Sequence, residues 1–230
     1  MQKGLDLLLT KYSVGEDAVI SEDGRSATVG NTSYPIHAWE CERRISELRV
    51  MHDSGRLGAV CTYRIGHTTR RGADLWALLY RELGILSFTM NSGITEIFAI
   101  AADAAMNCIV TTDNGCIATI ELAATLGEGE EDVDKHEMIC REGVACDRVV
   151  DTQVPQHSIY LFGKEKAKFK DVDAELYGLT EGEVGIVRCA FKLASSECYR
   201  TESLEKAKML ESAVKAAKTS IETLENVKVG

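Results

Sequence analysis

Apolar positions recur at helical spacing in four stretches of the chain and alternate with polar ones in several others. The order of those stretches predicts the fold. The opening run GLDLLLTKY reads as a helix, and AVISEDGRSATV as two short strand-prone runs around a turn at Glu22, Asp23 and Gly24. In IHAWECERRISELRVMHDSG, residues Ala38, Cys41, Ile45, Leu48 and His52 advance by threes and fours, which is one stripe of an amphipathic helix. Gly55 then supplies a left-handed cap that ends it. LGAVCTYRIGHTT follows as a strand, residues 72–84 as a helix ending at Gly84, and ITEIFAIAADA as a second strand.

The run MNCIVTTDNGCIATIELAATL holds two alternating segments joined by Asn114 and Gly115. That dipeptide suits a two-residue type I′ hairpin, which needs positive φ at both positions. Such a turn pairs Thr111 with Ala118 and Ile109 with Ile120, leaving Cys108, Val110, Thr119 and Glu121 on the other face. GEGEEDVD, at 127–134, is expected to be a solvated loop, since neither calcium-ligand spacing nor flanking helices accompany its carboxylates. KHEMICREGVACDRVV and QHSIYLFGKEK resume the strand pattern, with turns at Glu142-Gly143 and Gly163-Lys164. Leu204, Ala207, Leu210, Val214, Ala217, Ile221 and Leu224 mark a closing helix, with Thr201 or Ser203 as its N-cap and Glu205, Lys208, Glu211, Lys215 and Lys218 on a solvated face.

Composition narrows the function classes. The chain has 230 residues, 45% apolar and 27% charged, with two prolines, Pro35 and Pro155, which is the balance of an ordinary globular protein. Its formal charge of −10 repels phosphate backbones and anionic membranes, so neither nucleic acid nor a membrane surface is an expected partner. No run approaches 18 apolar residues and the first residues lack a small-residue cleavage site, so a cytoplasmic location is expected. Eight cysteines contain no C-x-x-C, and most lie in apolar runs where a free thiol acts as a small hydrophobe. His37, His52, His136 and His157 lack paired metal-ligand spacing, so no metal is expected.

HAWECERRISELRVMHDSGRLGAV, NSGITEIFAIAADA, DNGCIATIELAATL and SLEKAKMLESAVKAAKTSIETLENVKV occur in an order that resembles the C-terminal domain of the Gfo/Idh/MocA oxidoreductases, over roughly residues 29–229. The resemblance implies an α+β fold, an open-faced and predominantly antiparallel sheet with helices packed on one face, and oligomer contacts through the other. A bare apolar sheet face independently calls for a partner, so a homo-oligomer through that face is expected. One domain over 1–230 is expected, with 1–30 as a variable N-terminal extension and 31–230 as the oxidoreductase-like part.

The same resemblance sets what the chemistry lacks. The sequence contains no G-x-G-x-x-G turn for a dinucleotide and no E-K-P lysine, and fewer than 40 residues precede the matching region. Aligning Asp74 with the family's D-x-x-x-H puts Leu78 where a catalytic histidine stands, and a leucine exchanges no proton. General acid–base help is worth roughly 10² to 10⁴ in rate. No catalytic or cofactor-binding residue and no cofactor are therefore expected. Leu78 reads as core filling on a helix whose inward side, with Leu75, Leu79 and Leu83, is apolar.

A ligand cleft remains open at His67, Arg70, Arg71 and Asp74, where two guanidiniums would clamp a carboxylate or phosphate of a sugar-like or anionic molecule; the alternative is plain surface charge. The leading expectation is a non-catalytic, oligomeric binding, regulatory or scaffold protein. A second is the substrate-side subunit of a split dehydrogenase, active only with a separate nucleotide-binding chain. A third is an unrelated thiol enzyme using Cys61 with His67.

Overall fold

The computed structural model describes residues 1–147, 159–162, 166–169, 176 and 178–230. His157, Pro155 and the turn at Gly163-Lys164 lie outside them. The chain forms two compact units, Met1–Ser46 with Asp171–Lys208, and Glu47–Lys170 with Met209–Gly230.

In the first unit, α1 (Gln2–Lys11) precedes a three-stranded antiparallel sheet of β1 (Ala18–Ile20), β2 (Ser26–Val29) and β3 (Thr32–Pro35). The expected turn between the first two strands is present, with Gly24 at φ +69. The single stripe predicted from Ala38 to His52 is interrupted: a 3-10 turn at Ala38–Cys41 gives way to α2 (Arg43–Ser54) because Glu42 is extended. Gly55, at φ +63, ends α2 as expected. Helix α4 (Glu181–Ser195) was not among the predicted elements, although Thr180 and Glu183 form a capping box that satisfies its first amides. The core of this unit gathers Leu5, Leu8, Ala27, Ile36, Val187 and Leu193.

The second unit is built on a nine-stranded sheet. Along the chain its strands are β4 (Val60–Arg70), β5 (Ile94–Ala102), β6 (Ala105–Thr112), β7 (Ile117–Leu126), β8 (Val133–Cys140), β9 (Gly143–Cys146), β10 (Ile159–Phe162), β11 (Lys166–Phe169) and β12 (Val227–Lys228). Their spatial order is β11-β10-β9-β8-β4-β7-β6-β5-β12, antiparallel throughout except where β4 lies parallel to β7. Helix α3 (Leu75–Met90) packs on β6 and β7, and within α5 (Glu197–Thr223) Ser220 accepts the amide of Ala99 in β5 at 2.9 Å. The helices cover one face, as the α+β expectation required.

Two predicted details are corrected. The third helix does not stop at Gly84; it runs to Met90 and ends at Asn91, whose φ of 48 is left-handed. A glycine inside a helix costs about 1 kcal/mol, and burial of Ile85, Leu86 and Met90 beyond it outweighs that. The hairpin is also one residue out of the expected register. Thr112 N–H donates to Cys116 O at 3.0 Å and Gly115 N–H to Thr112 O at 2.9 Å, so the loop has three residues, with only Gly115 at positive φ. Val110 therefore faces Ala118 and Cys108 faces Ile120, all four buried, whereas Ile109 and Ile117 turn to the open face. A slip of one residue exchanges the faces of one strand relative to its partner, here β6: Ala118 and Ile120 keep the buried face and Val110 and Cys108 replace Thr111 and Ile109 on it.

Candidate functional site

Alternation along β4 turns Tyr63, Ile65 and His67 toward the helix-covered face. On the neighbouring strand β8, His136 pairs with Ile65 and Met138 with Tyr63, so the two histidines share that face. Above them α3 presents Leu79, Glu82, Leu83 and Leu86 at helical spacing, all buried. The inward side of α3 is thus not simply apolar, as its leucines had suggested. Glu82, fully buried, joins the two strands.

Its carboxylate accepts from His67 Nδ1 at 2.7 Å and from His136 Nε2 at 2.8 Å, and Arg81 reaches the same oxygen as His67 at 2.5 Å. On its other side His136 Nδ1 donates to Asp147 Oδ2 at 2.6 Å, while Asp147 Oδ1 accepts the backbone N–H of His136 at 2.7 Å. Burial opposes the charge of His136, but Asp147 and Glu82 outweigh it and raise its pKa from 6.5 to about 10. The ring is an imidazolium at neutral pH. Burial likewise opposes ionisation of Glu82, and the charges of Arg81 and His136 overcome it, holding the carboxyl well below its ordinary range. Glu82 and Asp147 face one imidazolium and one guanidinium, the guanidinium being shared with Asp134.

Because ionised Glu82 only accepts, His67 carries its hydrogen on Nδ1. Its Nε2 is buried without a hydrogen-bond partner and faces Asp132 Oδ2 at 3.8 Å. Thr69 Oγ1 donates to the other Asp132 oxygen at 2.8 Å, and Arg81 pairs with Asp134 at 3.3 Å. The acidic segment is exposed from 127 to 133, as a solvated loop should be, yet its last carboxylates are tied to β4 and α3.

The remaining predicted site residues lie in the link between β4 and α3. Arg70, exposed, is the last residue of β4; Arg71, exposed, donates from Nε to Thr125 O at 3.3 Å. Asp74 is the N-cap of α3 and accepts the Trp76 amide at 2.9 Å. Leu78 is half-buried, against fully buried Leu79 and Leu83. The pairing of Cys61 with His67 is ruled out: Cys61 is exposed, and six strand residues separate them by about 20 Å. Among the described residues no group of three metal-ligating side chains is placed to hold an ion.

Sequence reasoning singled out His67 but missed Glu82 and Asp147, and it read His136 only as a structural or exposed histidine, of which the structure shows the first. Glu82 had a signal, a carboxylate on the apolar stripe of its helix. His136 had a weaker one, the same strand parity as Met138. Asp147 had none.

No known family profile and no curated protein matches this chain. Solved structures do. Levoglucosan dehydrogenase in complex with NADH and levoglucosan superposes with a TM-score of 0.62 at 11% identity, over 84% of this chain and 65% of its own. An NAD binding oxidoreductase from Klebsiella pneumoniae gives 0.65 at 14% identity, over 84% and 65%. An oxidoreductase domain protein from Kribbella flavida gives 0.62 at 11% identity, over 84% and 64%. The chain thus spans just under two thirds of the length of these neighbours, and no helix among the described residues is long and apolar enough to cross a membrane. The neighbours are Gfo/Idh/MocA-type oxidoreductases, and the α+β fold described above is the one this chain shares with them.

Proposed function

We propose that this chain is an oligomeric, cytoplasmic small-molecule-binding, regulatory or scaffold protein built on the fold of sugar-type oxidoreductases, and that it performs no hydride transfer unaided. The observation that carries this reading is the commitment of its proton-carrying groups to one another. Glu82 holds both histidines, His136 is clasped by Asp147, and Asp74 is spent on the first turn of α3. Leu78, where the resemblance puts a catalytic histidine, offers no proton. Arg70 and Arg71 remain exposed in the link that leads from β4 to the capping Asp74, with Arg70 on the strand face opposite His67, and they supply the charge for a sugar-like or anionic ligand.

A thermal-shift screen against NAD, NADP, sugars and sugar acids tests it. A ligand present at 100 times its dissociation constant adds about 2.7 kcal/mol of apparent stability. A shift with a sugar acid that disappears in Arg70→Ala/Arg71→Ala is the expected result. A shift with either nicotinamide nucleotide on the chain alone would overturn the reading.

A second reading is favoured by the coverage, because the solved neighbours continue beyond the shared region and two of those above are described as binding NADH or NAD. In it, this chain is the substrate side of a split dehydrogenase and a separate polypeptide brings the nucleotide-binding fold. Nicotinamide binding that arises only when such a polypeptide is added would select it.

A further inference from the structure

The first unit holds a second buried polar cluster, separate from His67 and His136. Its backbone geometry is unusual: an ideal Cβ on Gly185 of α4 would lie 2.8 Å from Ala38 O, so the 3-10 turn and α4 touch main chain to main chain. Cys41 closes the turn that Ala38 opens, and Cys189 follows Gly185 by one turn of α4. The two thiols thus lie on the two elements that meet at that close approach, each a short way along the chain from it, and each is among the influences on the other's pKa. Both are buried in one apolar cluster. A disulfide needs Cα atoms roughly 4.4–6.8 Å apart, and a close approach of two backbones favours that separation.

The groups around the pair are ordered. Cys189 Sγ lies 3.4 Å from the Tyr199 hydroxyl, which donates to Glu40 at 2.9 Å, and Glu40 is ion-paired to Lys206. Lys192, exposed, sits 5.7 Å from the centre of the Tyr199 ring, with its ammonium beside Cys41. A cation beside a thiol favours the thiolate. The bond from Cys189 is the largest influence lowering the Cys41 pKa, and Lys192 adds to it against the effect of burial. Cys108 and Cys140, by contrast, are pushed up by burial to about 12 and about 11. Cys41 and Cys189 are thus a neighbouring pair of buried thiols with a cation beside one of them.

We propose that Cys41 and Cys189 are a modification site for a small hydroperoxide, which converts them to an internal disulfide. The Cys41 thiolate attacks one peroxide oxygen, the O–O bond breaks, and hydroxide leaves, taking up a proton to become water; Cys41 is oxidised to a sulfenic acid. The Cys189 sulfur then attacks the sulfenyl sulfur, the S–S bond forms, and the displaced hydroxyl leaves as a second water with the Cys189 proton. Both sulfurs have been oxidised and the peroxide reduced.

The test is to treat the reduced, folded protein with hydrogen peroxide, alkylate the remaining thiols and map peptides by mass. The expected product has lost two hydrogens and carries a peptide joining Cys41 to Cys189. In Cys189→Ser the reaction stops at the sulfenic acid, so dimedone labels Cys41; in Cys41→Ser the labelling of Cys189 is lost or slowed at least tenfold. Cys189→Ala, isosteric enough for an apolar core, repeats the first variant if the serine unfolds the unit. A cross-link between other cysteines, or retention of both thiols in folded wild-type protein while exposed Cys61 and Cys198 are consumed, overturns the proposal, and the wild-type map decides this without any variant.

Discussion

Glu82 is the residue on which the interior of the second unit turns. Removing one member of a buried, hydrogen-bonded ion cluster leaves its partners charged and dry, at a cost of about 3–5 kcal/mol. Glu82→Ala is therefore expected to lose that much in urea unfolding, and a loss under about 1 kcal/mol would mean the cluster is solvated in solution. The pH response follows from the same residues. The folded pKa of His136, about 10, lies above its ordinary 6.5. Its contribution is thus whole below pH 6.5 and disappears as pH rises through about 10. Glu82 has the opposite sign: its folded pKa is depressed, so its contribution is whole above 4.5 and is lost only as pH falls through the lower folded value. Unfolding free energy measured from neutral to alkaline pH should fall with a slope of at most about 1.4 kcal/mol per unit from this group, and the fall should shrink in His136→Gln. An equal alkaline fall in both proteins would assign the effect elsewhere.

At the level of elements, what was legible depended on whether a local pattern or a distant partner decided the outcome. The start of α3 had a local signal that a helix drawn from residue 72 passed over: Asp74 before an apolar run is an N-cap signature, and the structure uses it as one. Asp74→Ala should cost about 0.5–2 kcal/mol and Asp74→Asn much less, because the amide oxygen still accepts the Trp76 N–H. Equal losses in the two would mean that the charge, not the cap, is what matters there. The end of α3 was not local, since burial carried the helix through Gly84. In the hairpin, Asn-Gly located the turn but left its length open, and the extra loop residue, Asp113, is held from outside. Its carboxylate accepts the Gly93 N–H at 2.9 Å and the Ser92 hydroxyl, 20 residues away in sequence. Helix α5 is similar: Ser203 and Ser220 lie on its buried side because each hydrogen-bonds a distant backbone group, while Leu204 is exposed and Leu224 falls past the helix end at positive φ. Polar residues with specific partners displaced Leu204, which periodicity alone had put inside.

At the level of the whole molecule, the α+β class came from the family resemblance that the order of patterns carries, but the strand order was not legible, because the parallel contact of β4 with β7 joins residues some 55 positions apart. That contact completes the sheet and determines what its uncovered face displays. Along β5, β6 and β7 that face carries Phe98, Ile100, Ile109 and Ile117, the three isoleucines each about half exposed. Along β4, β7 and β8 it carries Arg64, Glu121, Lys135 and Glu137, with Arg64 bonded to Glu137 at 3.3 Å. An apolar patch rimmed by both signs of charge is self-complementary under a two-fold axis, where the patch meets its own copy and each cation finds a carboxylate. The proposed oligomer uses this face. Ile109→Asp puts a carboxylate at the centre of the patch, where burial would leave it unpaired, and should convert the assembly to a folded monomer in sedimentation velocity. Because Ile109 is 49% exposed, the same change should alter the unfolding free energy of that monomer by no more than about 0.5 kcal/mol. Lys228→Glu, on the edge strand β12 and exposed, is the control that leaves the assembly intact. If Ile109→Asp sediments like the unaltered protein, subunits associate through another surface and the isoleucines are solvated in the working molecule.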